Sequence, residues 1–267
     1  MSALGHHLML RLRDGRVVAP TVAARRLLAR TVLGLGAGAN VRLLAFRAAD
    51  THVHLLAACG APQATELARR VEIALTLALR PGVGFAHAHV RPIEGQAHLR
   101  NALRYVLRQE QHHGTDLDPR HEASNLPDLL GLRLVGAYTA QNVRTLLPRM
   151  RRDALLECLD PSDGGLARLL AAPELPPAEH LAPGLPEAAA AATALPDLDG
   201  RSTEVVAARH AAVHAVGVSA KLTSIADALS VTCRTVSRLR SEPAPPRLVR
   251  AVALQLWWRA GAGAAPT

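Results

Sequence analysis

With 267 residues, 49% of them apolar, the chain is long enough to bury a sizeable core and too apolar to be wholly disordered. Its formal charge of +9 is carried by arginine far more than lysine, and only 2% of its residues are aromatic. The core must therefore be built from Leu, Val and Ala, and a phosphate-rich partner, nucleic acid, is the first to consider. A GC-rich coding sequence would also raise arginine and alanine, so the motifs must decide. The three cysteines, Cys59, Cys158 and Cys233, are odd in number and widely spaced. They fit neither a disulfide framework nor a zinc motif, and the expectation is a reducing, cytoplasmic compartment. Met1 to Leu10 is short and runs into Arg11 and Arg13, so it does not read as a signal peptide. No window reaches the roughly 18 uncharged apolar residues that span a bilayer, and no membrane partner is expected.

The first strand is expected over His7 to Arg13, with Leu8, Leu10 and Leu12 on one face and His7, Met9, Arg11 and Arg13 on the other. Asp14-Gly15 marks a turn. Thr21 to Gly34 reads as a helix capped by Thr21, with Val22, Leu27, Leu28, Val32 and Leu33 as its apolar stripe and Arg25, Arg26 and Arg30 outside; the glycines up to Gly38 end it. Strands follow at Val41 to Phe46 and Thr51 to Ala57, then a helix over Gln63 to Leu79, a strand over Phe85 to Ile93 and a helix over Gln96 to Gln111. This βαββαβα order is the split βαβ pattern of a ferredoxin-like sheet with one added helix, an α+β fold. Residues 1–118 form the expected first domain, closed by the polar stretch 116–127.

Residues 119–172 read as a helical extension in short pieces, at 142–152, 152–159 and 166–172. Pro173 to Asp199 carries prolines, glycines and an alanine tract with few large apolar residues, and the stretch 173–200 is expected to be a flexible linker. Helical periodicity returns at Ser202 to Val216, opening a C-terminal region over 201–262. The stretch Val218 to Leu239 then has the pattern of a helix-turn-helix. Thr223 or Ser224 caps a short helix with Ile225, Ala226 and Leu229 inward, Ser230-Val231 makes the turn, and Thr232 caps a second helix with Val236 and Leu239 inward. Arg234, Thr235, Ser237, Arg238 and Arg240 are left facing out, the cations and hydroxyls a recognition helix needs in a duplex major groove. The bland alternative is an αα-hairpin with a charged outer face. Trp257 and Trp258 on a last helix are expected to close the core.

The chemistry centres on Thr51-His52-Val53-His54. In a strand, residues two apart share a face, so both imidazoles project to one side, roughly 6–7 Å apart. Two histidines on a sheet surface are more often structural than ligating. Tyr105 and Gln109 change that balance, because residues four apart share a helix face. If that helix crosses the sheet beside the histidine strand, His52, His54 and the amide oxygen of Gln109 would hold a divalent metal ion, and Tyr105 would be a nucleophile. A phenol with a pKa of about 10 needs a metal or cation to act at neutral pH. Attack on a DNA phosphodiester would yield a phosphotyrosine and a free 3′ hydroxyl. His87 and His89 form a second His-x-His and are a rival pair for the metal.

These residues, the opening Leu10-Arg11-Leu12-Arg13-Asp14-Gly15, Thr51 to Leu56, Phe85 to His89 and Asn101 to Leu107, resemble the single-tyrosine HUH transposases, in particular the REP-associated tyrosine transposases. The resemblance runs from about His6 to Gly114. It implies a ferredoxin-like catalytic domain, Mg²⁺ or Mn²⁺, a single-stranded or hairpin DNA substrate, and a homodimer, at the nucleoid of the cytoplasm. Under it His52 and His54 match the paired histidines, Tyr105 the nucleophile and Gln109 the third ligand, while His87 and His89 face DNA or solvent. Thr51 stands where the family usually has Asn, and can still supply a hydrogen bond behind a ligand. Aromatic platforms for stacking bases are almost absent. The alternative is a non-catalytic helix-turn-helix regulator built on a decayed transposase domain. A small-molecule hydrolase would want acidic groups by the histidines and would leave the basic charge unexplained.

Overall fold

The computed structural model describes residues 3–38, 41–109, 121–150, 152–159 and 182–261. The chain divides into two compact units, Met1–Leu130 with Val135–Gly165, and Gly131–Leu134 with Leu166–Thr267. No helix among the described residues is long and apolar enough to cross a membrane.

The first unit is α+β. Strands β1 (Gly5–Arg11), β2 (Arg42–Ala49), β3 (His52–Ala58) and β4 (His89–Ile93) form one antiparallel sheet in the order β2-β3-β1-β4. Helices α1 (Val22–Gly38) and α2 (Ala61–Leu79) lie between β1 and β2 and between β3 and β4 in the chain. Directly opposed residues share a sheet face, and the register pairs Leu8 with Leu55, Leu10 with Val53, and Leu55 in turn with Phe46. That apolar face meets Leu28 and Val32 of α1 and Leu67, Val71 and Leu75 of α2 in one buried cluster. The alternation expected in the first strand therefore holds, and it sets up the polar face described below.

Four local expectations change. Helix α1 runs through Gly34 to Gly38 instead of stopping. Gly36 is there for close approach: a Cβ on it would lie 2.5 Å from the Tyr138 hydroxyl and 2.8 Å from a Leu43 methyl. Arg26, expected outside, is 1% exposed because it reaches the carboxylate of Glu122, in a buried fork whose Nη2 limb measures 3.0 Å. The stretch from residue 121 onward returns to the sheet instead of closing off the domain. Ala48 N donates to Ala123 O (2.8 Å), Phe46 N to Asn125 Oδ1 (2.9 Å), and Asn125 Nδ2 to Leu44 O (2.9 Å). Residues 123–125 thus cover the outer edge of β2, which would otherwise expose unpaired backbone groups. Finally, β4 is shorter than its alternation suggests. Met9 faces His89 but Leu12 bridges Phe85, so the pairing slips by one residue and 86–88 leave the ladder.

Helix α3 (Gln96–Arg108) buries Leu99, Leu103, Val106 and Leu107 against the other side of the sheet, where it touches β2 and β3. It ends at Arg108, short of the expected Gln111, and Gln109 takes a left-handed conformation with φ 33°. The short helix α4 (Leu126–Leu130) is followed by α5 (Ala137–Leu146), packed on β2, and α6 (Arg152–Leu159), packed on α3. The helix expected at 166–172 lies outside the described residues.

The second unit is helical. Much of the expected linker is ordered: after a single 3₁₀ turn at Ala182–Gly184, α7 (Leu185–Thr193) buries Leu185 and Ala188 to Ala192 to 2% exposure or less. Alanine is the best helix former, and its small side chain lets neighbouring helices approach closely, so a tract without large residues can still be core. Residues 173–181 lie outside the described residues. Helix α7 packs on α8 (Thr203–Ala215), capped by Ser202, and on α11 (Pro246–Gly261). Between them lie α9 (Leu222–Ala228) and α10 (Cys233–Ser241), with Ser230 at φ 53° in the turn. Ile225, Ala226, Leu229, Val236 and Leu239 are buried as the periodicity requires.

Candidate functional site

The polar face of the sheet carries the candidate chemistry. Met9 lies opposite both His54 and His89, and Arg47 lies opposite His54, so all four share one face with His7, Arg11, His52 and Arg91. The rings of His52 and His54 are 6.0 Å apart, as expected for i and i+2 on a strand. Helix α3 crosses this same face. The Tyr105 ring stands edge-on to His54 at 5.9 Å and to His7 at 5.8 Å, between centroids. Three of the four expected residues, His52, His54 and Tyr105, are therefore on one side of the sheet. Tyr105 is 42% exposed, so its phenol is accessible from solvent.

His7 is the residue the sequence reading did not single out. Its ring stacks on His54 at 5.2 Å, and its Nε2 lies 3.0 Å from His54 Nδ1, one proton serving the pair. Burial, with Arg91 and His98 nearby, pushes the His7 imidazole down to about 4, so it is neutral at pH 7. The alternation places His7 on the polar face of the first strand. What alternation does not carry is the strand order, which sets β1 beside β3. Thr51 Oγ1 lies 2.8 Å from His52 Nδ1, the hydrogen bond expected behind that histidine. Both histidines of β3 are thus held at Nδ1, the arrangement in which Nε2 is the ligating nitrogen of a metal-bound imidazole.

Gln109 is placed differently from the expectation. It caps α3 instead of continuing it: its backbone N and its side-chain Nε2 both donate to the Tyr105 carbonyl, each at 3.2 Å. The residue is 2% exposed and its Oε1 is buried with no hydrogen-bond donor among the described residues. A buried amide oxygen without a donor costs on the order of 1–3 kcal/mol unless something electropositive meets it. By donor type, imidazole nitrogens and an amide oxygen suit a divalent ion, and of these the two imidazoles are the pair brought together, 6.0 Å between ring centroids. Among the described residues no group of three or more His, Cys, Asp and Glu is arranged to hold a metal. Arg47, 1% exposed, reaches from the same face to the Leu107 carbonyl at 2.5 Å and ties the end of α3 to the sheet.

Beside this cluster lies a cavity of about 680 Å³ between β4 and α3. Its floor is apolar, from Met9, Ile93 and Ala102, and its polar lining includes Arg91, His98, Asn101 and Tyr105. His89 also lines it and is exposed, while His87 is exposed on the irregular stretch before β4. The second His-x-His is therefore split between two settings.

In the second unit Thr232 caps α10, its Oγ1 accepting from Thr235 N at 3.2 Å. Lys221 precedes α9 in place of the expected Thr223 or Ser224 cap. Arg234 and Ser237 are exposed, Thr235 is half-buried, and Arg238 is exposed and pairs with Glu242 at 3.2 Å. Arg240 turns away from the outward set: it donates to Gly217 O (3.2 Å) and Ala220 O (2.6 Å) and holds the turn before α9. His210 and His214 lie within 3.0 Å of the Leu239 and Glu242 carbonyls and satisfy the end of α10. Arg201, Arg209 and Arg238 line a hollow of about 550 Å³ with Thr232 and Thr235 at the start of α10.

No protein-family model, curated protein or solved structure matches the chain.

Proposed function

We propose that the first unit is a ferredoxin-like HUH endonuclease domain of the single-tyrosine transposase kind. In this reading it nicks single-stranded or hairpin DNA with Tyr105 and transfers the strand with the help of Mg²⁺ or Mn²⁺. The observation that carries the reading is the 5.9 Å approach of the Tyr105 ring to His54 across one face of the sheet. The strand order β2-β3-β1-β4 also supports it, being the order of a split βαβ fold.

A metal held by His52, His54 and Gln109 would supply Lewis-acid polarisation of a phosphate oxygen. The chain's own groups do the rest. Tyr105 Oη attacks phosphorus and forms a phosphotyrosine; the bond to the 3′ oxygen breaks, and that oxygen leaves as a 3′ hydroxyl after taking a proton. The phosphodiester energy is kept in the covalent link, so a second 3′ hydroxyl can reverse the step without a nucleotide cofactor. Arg91 and His98 line the side of the cavity where the flanking phosphate would rest. The hydrogen bond between His54 Nδ1 and His7 Nε2 fixes the His54 ring, and Thr51 does the same for His52. Arg47 and Gln109 hold the end of α3, and with it the phenol, against the sheet.

The α9–turn–α10 segment is, in this reading, a helix-turn-helix that docks duplex DNA through Arg234, Thr235, Ser237 and Arg238, with Arg240 as an internal brace. The test is a denaturing gel of the full chain incubated with labelled hairpin oligonucleotides and Mn²⁺. A covalent adduct in the wild type, and none in Tyr105→Phe, is the expected result. Duplex binding with no adduct under any metal would leave the regulator reading in its place.

A further inference from the structure

Helix α3 presents two exposed stripes, and the catalytic reading uses only one. Asn101 and Tyr105, four residues apart, face the cavity beside β4. Arg100 and Arg104, the neighbouring stripe, line a separate groove of about 890 Å³ on the other flank of the helix. Its far wall is Arg149, with Leu147 and Met150 as apolar floor and Glu157 as the one acid among the described residues that line it. Arg100, Arg104 and Arg149 are exposed and make no ion pair or hydrogen bond among the described residues. This contrasts with Arg69, Arg16 and Arg238, whose surface charges meet a carboxylate. Asn101 lines both hollows, so the two lie on either side of that one side chain.

The geometry points to this groove as a second binding site, a track for the single-stranded nucleic-acid segment that flanks the phosphate presented to Tyr105. Arginines four apart on a helix stand about 6 Å apart along its axis, so each can take a successive phosphate of one extended strand. A duplex is too wide to follow both flanks of one helix, and the apolar floor gives unpaired bases a surface to lie on. An acidic protein partner would also answer the charge; it is an outcome the test separates. The inference rests on the nuclease reading for the identity of the strand, but its readout is binding and not cleavage.

The experiment measures fluorescence anisotropy of labelled hairpin oligonucleotides, with and without a long single-stranded flank, on the full chain in a Tyr105→Phe background. The flank should tighten binding. The triple variant Arg100→Ala/Arg104→Ala/Arg149→Ala should lose that gain, on the order of 10-fold or more at low salt, and lower the salt slope by about 2. Its affinity for the flankless hairpin should not move. Glu157→Gln, which removes a charge and disturbs no core residue, should tighten flanked binding a few-fold. A flank that adds nothing, or a triple variant that keeps both the gain and the slope, overturns the proposal. So does an equal loss on flanked and flankless DNA, which would mark a general basic surface. Failure of adduct formation in the wild type leaves these results as they stand, so the two readings fail separately.

Discussion

Alternate residues of the same strands build two unlike faces of one sheet. On one, Leu8, Leu10, Phe46, Val53 and Leu55 are fully buried under α1 and α2. On the other, His7, Met9, Arg47, His52 and His54 share the face that α3 crosses, and polar groups there are buried at a cost: Arg47 is 1% exposed, His54 3%, and Gln109 Oε1 has no donor among the described residues. The first face is what folds the unit. The second spends stability on an arrangement of imidazoles, a guanidinium and a phenol that packing alone would not select.

That contrast can be broken most sharply at Tyr105. Because Tyr105 is 42% exposed, Tyr105→Phe should remove the covalent adduct entirely and leave the thermal midpoint within a few degrees. On the apolar face the pattern reverses. Leu55→Ala should cost about 2–5 kcal/mol in urea unfolding, while residual folded protein still forms adduct at a normal rate. A Leu55→Ala protein that is stable but inactive would show that the two faces are not separable.

Smaller effects sharpen the division. Thr51→Ala removes the hydroxyl behind His52 along with one half-exposed methyl, and should raise the Mn²⁺ needed for half-maximal adduct by about 10-fold with little change in stability. The smallest effect expected concerns the thiols. Burial pushes the Cys59 thiol up to about 11, so at pH 8 it stays protonated, and the thiolate is the reactive form. Cys59 lies beside the sheet, and Cys233 is exposed at the start of α10. Iodoacetamide at pH 8 should label Cys233 and spare Cys59, with Cys59 reacting only as the pH approaches 11. Mass spectrometry of the two peptides checks this.

Much of the sheet unit is legible in the sequence because its signals are local. Alternation in β1 separates Leu8, Leu10 and Leu12 from His7 and Met9, and the spacing of His52 with His54 places both rings on one face. What is not legible depends on distant pairing. Arg26 is buried by Glu122, 96 residues on. His7 meets His54 only because β1 lies beside β3. Asn125 closes the edge of β2 through side-chain contacts to Phe46 and Leu44, which no periodicity announces. Gln109 is set differently for a related reason: the helix stops one residue earlier, and the i, i+4 rule no longer governs where the amide points. In the second unit the alanine tract reads as linker because hydrophobic size was the expected mark of core, whereas close helix approach selects small residues. Arg240 reads as outward by helical spacing, and the carbonyls of Gly217 and Ala220 draw it back.

The central claim is that the Tyr105 phenol attacks a DNA phosphodiester. The most direct measurement is tandem mass spectrometry of the tryptic peptide containing Tyr105 after incubation with a single-stranded hairpin oligonucleotide and Mn²⁺. The account predicts a nucleotide attached through phosphate to the Tyr105 oxygen. An adduct located on another residue, or an unmodified Tyr105 in protein that binds the same DNA tightly, would contradict it.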